Sequence, residues 1–333
     1  MSVTIKDIAS EANVSWQTVS LVMHGTGRIS EATRRKVKKV ADRMGYRPNA
    51  AARAYRTGRF DCVALVLAYN EARSDLPTGL LYGIQNALAR NNLHFTVARL
   101  PDDELTRAGF VPKVLRENFA DGMLINVTHD IPDKMLDLIQ ESRAPAVWLN
   151  TDLPTDCVCP DDESASFHLA RHLIELGHRK IAYVKTDSST HYSTRERRSG
   201  FAKALLENGL RPYLIERSIK FGEQTELFDP LLTGASRPSA MIVRPEDVAT
   251  VAYMAACRGI RIPDDLSLAC IAASAPHFAD MMVTSAIVPS DTEGAEAVTM
   301  LLAKIKKPEI ALPTRRTPFA FGKGHTCAPW QNT

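Results

Sequence analysis

Between residues 62 and 272 the chain alternates short apolar runs with stretches of helical period, and this alternation constrains the fold more than any other feature. The first run, CVALVLAY at 62–69, carries no charge. A strand with one wet face alternates polar and apolar residues. A continuous run belongs to a strand covered on both faces, as in a parallel sheet under helices. LLYGIQNALARNN follows as a helix, HFTVARL as a strand, PKVLRENF as a helix and GMLINV as a strand. DKMLDLIQES then reads as a helix and AVWLN as a strand. A second set begins near residue 160. Its helices are ESASFHLARHLIELG, ERRSGFAKALLENG, a stretch near 223–233 and DVATVAYMAACRG; its strands are IAYVK, LIERSI, AMIVR and LSLACIA. This rhythm predicts an α/β core of two lobes, two doubly wound parallel sheets that take ligands at the carboxyl ends of their strands.

The first sixty residues differ in kind. They hold twelve Lys and Arg against four Asp and Glu, a net charge of +8, while the rest holds 29 against 34, or −5. A compact basic head on a mildly acidic body points to a polyanion partner for the head alone. Thr4 caps a helix with Asp7 at its third position and Ile5, Ile8, Ala9 and Ala12 on one face. Asn13 and Val14 break it. Ser15 caps a second helix to about His24, with Val14, Val19, Val22 and Met23 as its buried stripe. Ser30 caps a third, which stacks Val37, Val40, Ala41 and Met44 and ends at Gly45. Two short helices joined by a tight turn and closed by a third make an all-α helix-turn-helix head, whose second helix enters the major groove of DNA. The segment YRPNAAARAYRTGR is Ala-rich and helix-prone, but about eight residues are marginal alone in water, so it should order on a partner.

Other chemistry is thinly represented. No run of about 18 uncharged apolar residues and no basic-then-apolar opening occurs, so neither a membrane span nor export is expected. The six cysteines are scattered, and Cys157 and Cys159 are spaced for neither a zinc knuckle nor a redox pair, which suits reduced thiols in a cytoplasmic protein. His168 and His172 stand four apart on a helix without an evident third ligand. Glycine-rich phosphate loops and a nucleophile elbow are missing, so no cofactor, metal or catalytic residue is implied.

The stretch from Thr4 to Arg59 is similar to the DNA-binding head and hinge of the lactose-repressor and purine-repressor (LacI/GalR) family. The resemblance implies a transcriptional regulator, a repressor, whose homodimer binds an inverted-repeat operator in double-stranded DNA among the nucleoid. Its hinge helices would enter the central minor groove. Trp16, Gln17 and Leu21 then occupy base-reading positions. Ser15, Thr18, Ser20, His24, Ser30, Thr33, Tyr46 and Asn49 occupy phosphate-anchoring ones, and Ala52, Arg53 and Tyr55 belong to the hinge face. Two residues depart from the family. Leu21 stands where an arginine that grips guanine is usual, a swap that removes roughly 1–3 kcal/mol of base discrimination. Tyr55 stands where a leucine wedge is common, and an aromatic ring also fits an unstacked step.

The body resembles the same family less tightly, in HLIELGHRKIAYV, STRERRSGFAKALLENGL and RGIRIPDDLSLACIA, and looks like a periplasmic-binding-protein-type sensor. The resemblance divides the chain into a head (1–47), a hinge (48–59) and a core (60–333). Lobe 1 spans about 60–160 and 290–318, lobe 2 about 161–289 and 319–333. SAIVPSDTEGAEAVTMLLAKI looks like the crossing back to lobe 1, its helix part of a dimer face. The cleft should bind a small effector, a sugar or sugar acid. Arg197 matches the guanidinium that holds sugar hydroxyls or a carboxylate, its alternative being a surface arginine in RERR. Asn150, Asn126 and Asp161 lie at strand ends or the lobe crossing. His191 and Tyr192 lead into the Arg197 helix, and Asn70, Ser74 and Asp75 fill the first strand-to-helix loop. Arg244-Pro245-Glu246 and Ala272-Ala273 replace acid-rich family stretches, and gaining Arg244 favours an acidic effector. Two other readings stand beside this one: a DNA-binding protein with a vestigial cleft, and a head fused to a sugar-acting enzyme.

Overall fold

The computed structural model describes residues 3–48, 50–101, 111–117, 119–220, 222–278 and 280–331, with the side chains at 50, 51, 55, 56 and 72 also outside the description. The chain divides into two compact units, Met1–Asp61 and Cys62–Thr333.

In the first unit α1 (Ile5–Ala12), α2 (Trp16–Met23) and α3 (Glu31–Arg43) close on one small core. Each start is capped as its sequence dictates. Thr4 and Asp7 form a reciprocal capping box, Ser15 accepts from the Thr18 amide, and Ser30 from that of Thr33. Ile8, Ala9, Ala12, Val19, Val22, Val37, Val40 and Ala41 are buried, while Val14, Met23 and Met44 pack at the margin. An Arg43–Glu11 ion pair ties α3 to α1. The Ala-rich segment forms α4 (Ala50–Thr57), with Ala54 buried.

The second unit holds two six-stranded sheets. The first is built from β1 (Cys62–Ala68), α5 (Thr78–Arg90), β2 (His94–Leu100), α6 (Lys113–Arg116), β3 (Gly122–Asn126), α7 (Asp133–Ser142), β4 (Ala146–Leu149) and β5 (Cys157–Pro160). The chain then supplies the second through α8 (Asp162–Glu175), β6 (Ile181–Lys185), α9 (Tyr192–Glu207), β7 (Tyr213–Glu216), α10 (Gln224–Thr233), β8 (Ala240–Val243), α11 (Pro245–Cys257) and β9 (Ser267–Ala272). A small hairpin, β10 (His277–Phe278) and β11 (Met281–Met282), precedes β12 (Thr284–Ile287). After α12 (Ser290–Lys306), β13 (Arg315–Thr317) joins the first sheet and β14 (Ala320–Gly322) the second. Strand orders are β13-β5-β4-β3-β1-β2 and β14-β12-β9-β8-β6-β7, parallel except for the antiparallel β12–β14 pair. The chain therefore passes between the sheets three times, near Asp161, Pro289 and Pro318.

The run in β1 behaves as a doubly covered strand must. Val63, Leu65 and Leu67 face a core with α5 and α12 residues, and Ala64, Val66 and Ala68 face one with α7 residues. The second sheet is likewise sandwiched, between α8 and α9 on one face and α10 and α11 on the other. Among the described residues no helix is long and apolar enough to cross a membrane.

Candidate functional sites on the head and between the lobes

On the head, the capping and burial of α2 decide which side chains remain outside. Val19 and Val22 are buried, which leaves Trp16 (55% exposed), Gln17 and Leu21 on the outer face. Leu21 is 38% exposed, and its methyl groups lie over Gly27, whose left-handed φ of +76° turns the loop towards them. Ser15 also contacts the Thr18 hydroxyl at 2.9 Å, and Ser30 that of Thr33 at 2.8 Å. Both pairs sit at helix amino ends, where open N–H groups and the helix dipole favour a phosphate. His24 bonds the Ser20 carbonyl at 2.6 Å through Nδ1. Tyr46, Ala52 and Arg53 join Trp16 and His24 around a hollow of about 810 Å³. Arg53 pairs with Asp61 at 3.0 Å, so a phosphate would have to compete with that carboxylate. Asn49 and the Tyr55 side chain lie outside the described residues.

In the body, loops from the carboxyl ends of β1, β3, β4, β6, β8 and β9 converge on one cavity of about 740 Å³, as the doubly wound architecture requires. Six of the expected residues line it: Asp75, Asn150, His191, Arg197, Arg244 and Glu246. The other five stand outside its lining. Asn70 is exposed on the loop after β1. Ser74 accepts from the Ala68 amide and donates to the Asn126 carbonyl, while buried Asn126 donates to the Asp75 carbonyl at 2.8 Å. Asp161 caps α8, and buried Tyr192 donates to Asn150 Oδ1 at 3.0 Å. Ser74, Asn126 and Asp161 thus hold the backbone that shapes the wall.

Arg197 donates through Nε to Asp162 Oδ1 at 2.7 Å, and Asp162 is only 1% exposed. Asp162 is not marked by the sequence; its neighbour Asp161 makes the cap of α8, which leaves Asp162 to face the arginine. Lys185, Asp187 and Glu293 were also missed. Lys185 ends an apolar strand and Glu293 sits in an amphipathic helix, so only the chain crossings bring them together.

Arg244 corrects the expectation built on it. Its guanidinium reaches Asp187 at 3.0 Å, Glu246 at 3.0 Å and the Thr186 hydroxyl at 3.1 Å. Lys185 also holds Asp187, at 2.9 Å. Burial alone would raise the Asp187 carboxyl, but hydrogen bonds from Lys185 and the Ser189 amide, with Arg244 nearby, keep it below its ordinary value. The added cation is thus matched within the protein and makes no case for an acidic ligand. Ala272 and Ala273 leave room in the wall.

One helix ties the lobes together beside this cavity. At the start of α9, His191 Nε2 contacts the Asn150 carbonyl at 2.9 Å and Arg195 meets Asp152 at 2.6 Å. Glu196 accepts two bonds of 2.7 Å from Arg316 on β13. His168 and His172 pack beside Phe319 and Phe321, and among the described residues no group of three or more His, Cys, Asp and Glu is placed to hold a metal.

A helix-turn-helix head followed by a two-lobed domain with a polar cleft defines a DNA-binding transcriptional regulator with a ligand-binding core. Residues 4–49 match the model of bacterial regulatory proteins of the lacI family, and residues 170–327 that of the periplasmic binding protein-like domain. The chain is 31% identical over 277 residues to the HTH-type transcriptional regulator DegA of Bacillus subtilis (strain 168), covering 80% of this chain and 81% of that one. It shares the fold of the lac repressor dimer bound to operator and the anti-inducer ONPF, with a TM-score of 0.78 and 21% identity over 98% of this chain and 100% of that one. The CelR–cellobiose complex matches with a TM-score of 0.65 and 23% identity, over 97% of this chain and 99% of that one. The chain belongs to the LacI family.

Proposed function

We propose that this regulator is a repressor acting as a homodimer on an inverted-repeat operator, and that a small sugar-like effector in the cleft sets its operator affinity. Trp16, Gln17 and Leu21 read bases. Ser15, Thr18, Ser20, His24, Ser30, Thr33, Tyr46 and Asn49 anchor phosphates, and Ala52, Arg53 and Tyr55 belong to the minor-groove hinge. Asp75, Asn150, His191, Arg197, Arg244 and Glu246 meet the effector. One observation carries the reading: strand ends of both sheets converge on a polar cavity containing the Arg197–Asp162 pair, in a chain whose head exposes Trp16 and Gln17. A cavity of about 740 Å³ suits a small molecule. A ligand that draws on Arg197 also acts on α9, whose first turn holds both lobes, so closure has a direct handle. Coupling of about 1–3 kcal/mol would change operator affinity roughly 5- to 150-fold.

The test is selection of genomic DNA fragments by the purified full-length protein, followed by operator binding with and without fractionated small metabolites. One family of inverted repeats should be enriched, and one fraction should shift affinity within that range. Leu21→Arg should change the preferred base at one symmetric position, by about 1–3 kcal/mol of discrimination. Absence of a recurrent site would sink the DNA reading. A site indifferent to every fraction would leave the cleft vestigial. Unchanged base preferences would remove Leu21 from the groove.

A further inference from the structure

The cavity is acidic once its charges are matched. Its lining carries six carboxyl side chains against three cations. Lys185 and Arg244 are taken by Asp187 and Glu246, and Arg197 by Asp162. Two of the acids have oxygens shut off from water with no hydrogen-bond partner: Asp162 Oδ2 and Glu293 Oε1. The residues are 1% and 2% exposed, and both line the cavity. Asp162 opens α8, which packs on the second sheet, whereas Glu293 lies in the first turn of α12, which packs on α5 and the first sheet. A buried acceptor without a donor is unfavourable, more so when charged, so two lining one cavity call for a ligand that supplies donors.

We propose that Asp162 and Glu293 form a subsite for a protonated amine, and that the effector is a polyhydroxylated ring bearing one. This rests on the cleft being the effector site. An ammonium has three donors and a positive charge, enough for both orphan oxygens and one further acceptor. A neutral hydroxyl has one donor and leaves the second oxygen unmet. The amine also bridges the lobes, because its two acceptors belong to different sheets.

Proton balance supplies a signature. Burial, with Cys159 and Asp162 nearby, pushes the Glu293 carboxyl well above the usual carboxylate range, against a lowering contribution from the Asn150 amide. Cys157 and Tyr192 also lie close enough for its charge to act on them. Burial therefore favours the uncharged form of Glu293. An arriving ammonium stabilises its carboxylate, and the displaced proton goes to the buffer. Affinity should rise with pH while the ligand amine stays protonated.

The experiment is calorimetry on the full-length protein with glucosamine, galactosamine and mannosamine beside glucose, galactose and mannose, in two buffers of different ionisation enthalpy. At least one hexosamine should bind tenfold or more tightly than its hexose, with net proton release seen as buffer-dependent heat. Glu293→Gln should reduce that preference to within twofold and abolish the proton release. The buffer comparison on the unaltered protein needs no variant, so poor folding of the variant would not protect the proposal. Hexoses binding as well as hexosamines, or no proton release, would overturn the subsite and leave the effector cleft standing. No binding by either series would overturn both for a hexose-sized ring.

Discussion

Arg197 and Asp162 show how strongly one side chain depends on another here. Asp162 is 1% exposed and Arg197 retains 28% side-chain exposure, so the carboxylate depends on the arginine more than the reverse. Removing one partner of a buried pair strands a charge, whereas replacing both can be nearly neutral. Arg197→Met should therefore cost about 3 kcal/mol in denaturant unfolding. The double variant with Asp162→Asn should recover at least half of that loss. Equal losses in the two proteins would mean that Asp162 is satisfied without Arg197. Arg197 was legible through its match to the family's guanidinium position, but an aspartate at position 162 carries no sign of a partner 35 residues later. Asn150 is a similar case. A strand end was legible, but the bonds it accepts from Tyr192 and His191 depend on two lobes meeting.

Among elements, those with a strong period stand where the sequence puts them, as in β2 (His94–Leu100) and α7 (Asp133–Ser142). The strands left unread are short, and pairing rather than composition makes them: β5 includes Pro160, and β13 is Arg-Arg-Thr. The helix expected from PKVLRENF is only four residues long. Contact between α5 and α12 was also unreadable, because it turns on the absence of a side chain. A Cβ at Gly83 would lie 2.0 Å from the Asp291 carbonyl oxygen. Gly83→Ala gains up to about 1 kcal/mol of helix propensity. The backbone opposite cannot yield as a flexible side chain would, and overpacking costs about 1–3 kcal/mol. The net expectation is destabilisation by about 1–2 kcal/mol, read from the denaturant midpoint, and a stabilised variant would refute this packing.

For the whole molecule, His178 joins segments far apart in sequence. Its ring contacts Ser239 at 2.9 Å, Ser267 at 3.0 Å and the Ala328 carbonyl at 3.2 Å. Burial lowers its pKa in the folded protein, with the Ala328 carbonyl opposing that shift. The unfolded chain then takes up the proton first, so stability is full above the ordinary histidine value of about 6.5 and falls as pH drops through it towards the folded value. Glu293 works in the opposite sense, since its pKa is raised. The comparison that isolates His178 is therefore thermal melting of the wild-type protein and His178→Asn at about pH 7.5 and about pH 5.5, on either side of the free histidine value. The wild-type protein should lose more on acidification, and equal losses would show that His178 does not carry the effect.

What the sequence determined by itself is whatever depends on near neighbours: helical caps, the strand-helix rhythm and the +8 head. Such features act over a few residues, through hydrogen bonds along the backbone and through apolar period. Tertiary structure decided which charges meet. Arg244 became a matched cation rather than a hook for an acid, and Asp162 and Glu293 came to line one cavity. The reason is that the cleft is assembled where the chain passes between two sheets, and electrostatic partners there are set by distance in space.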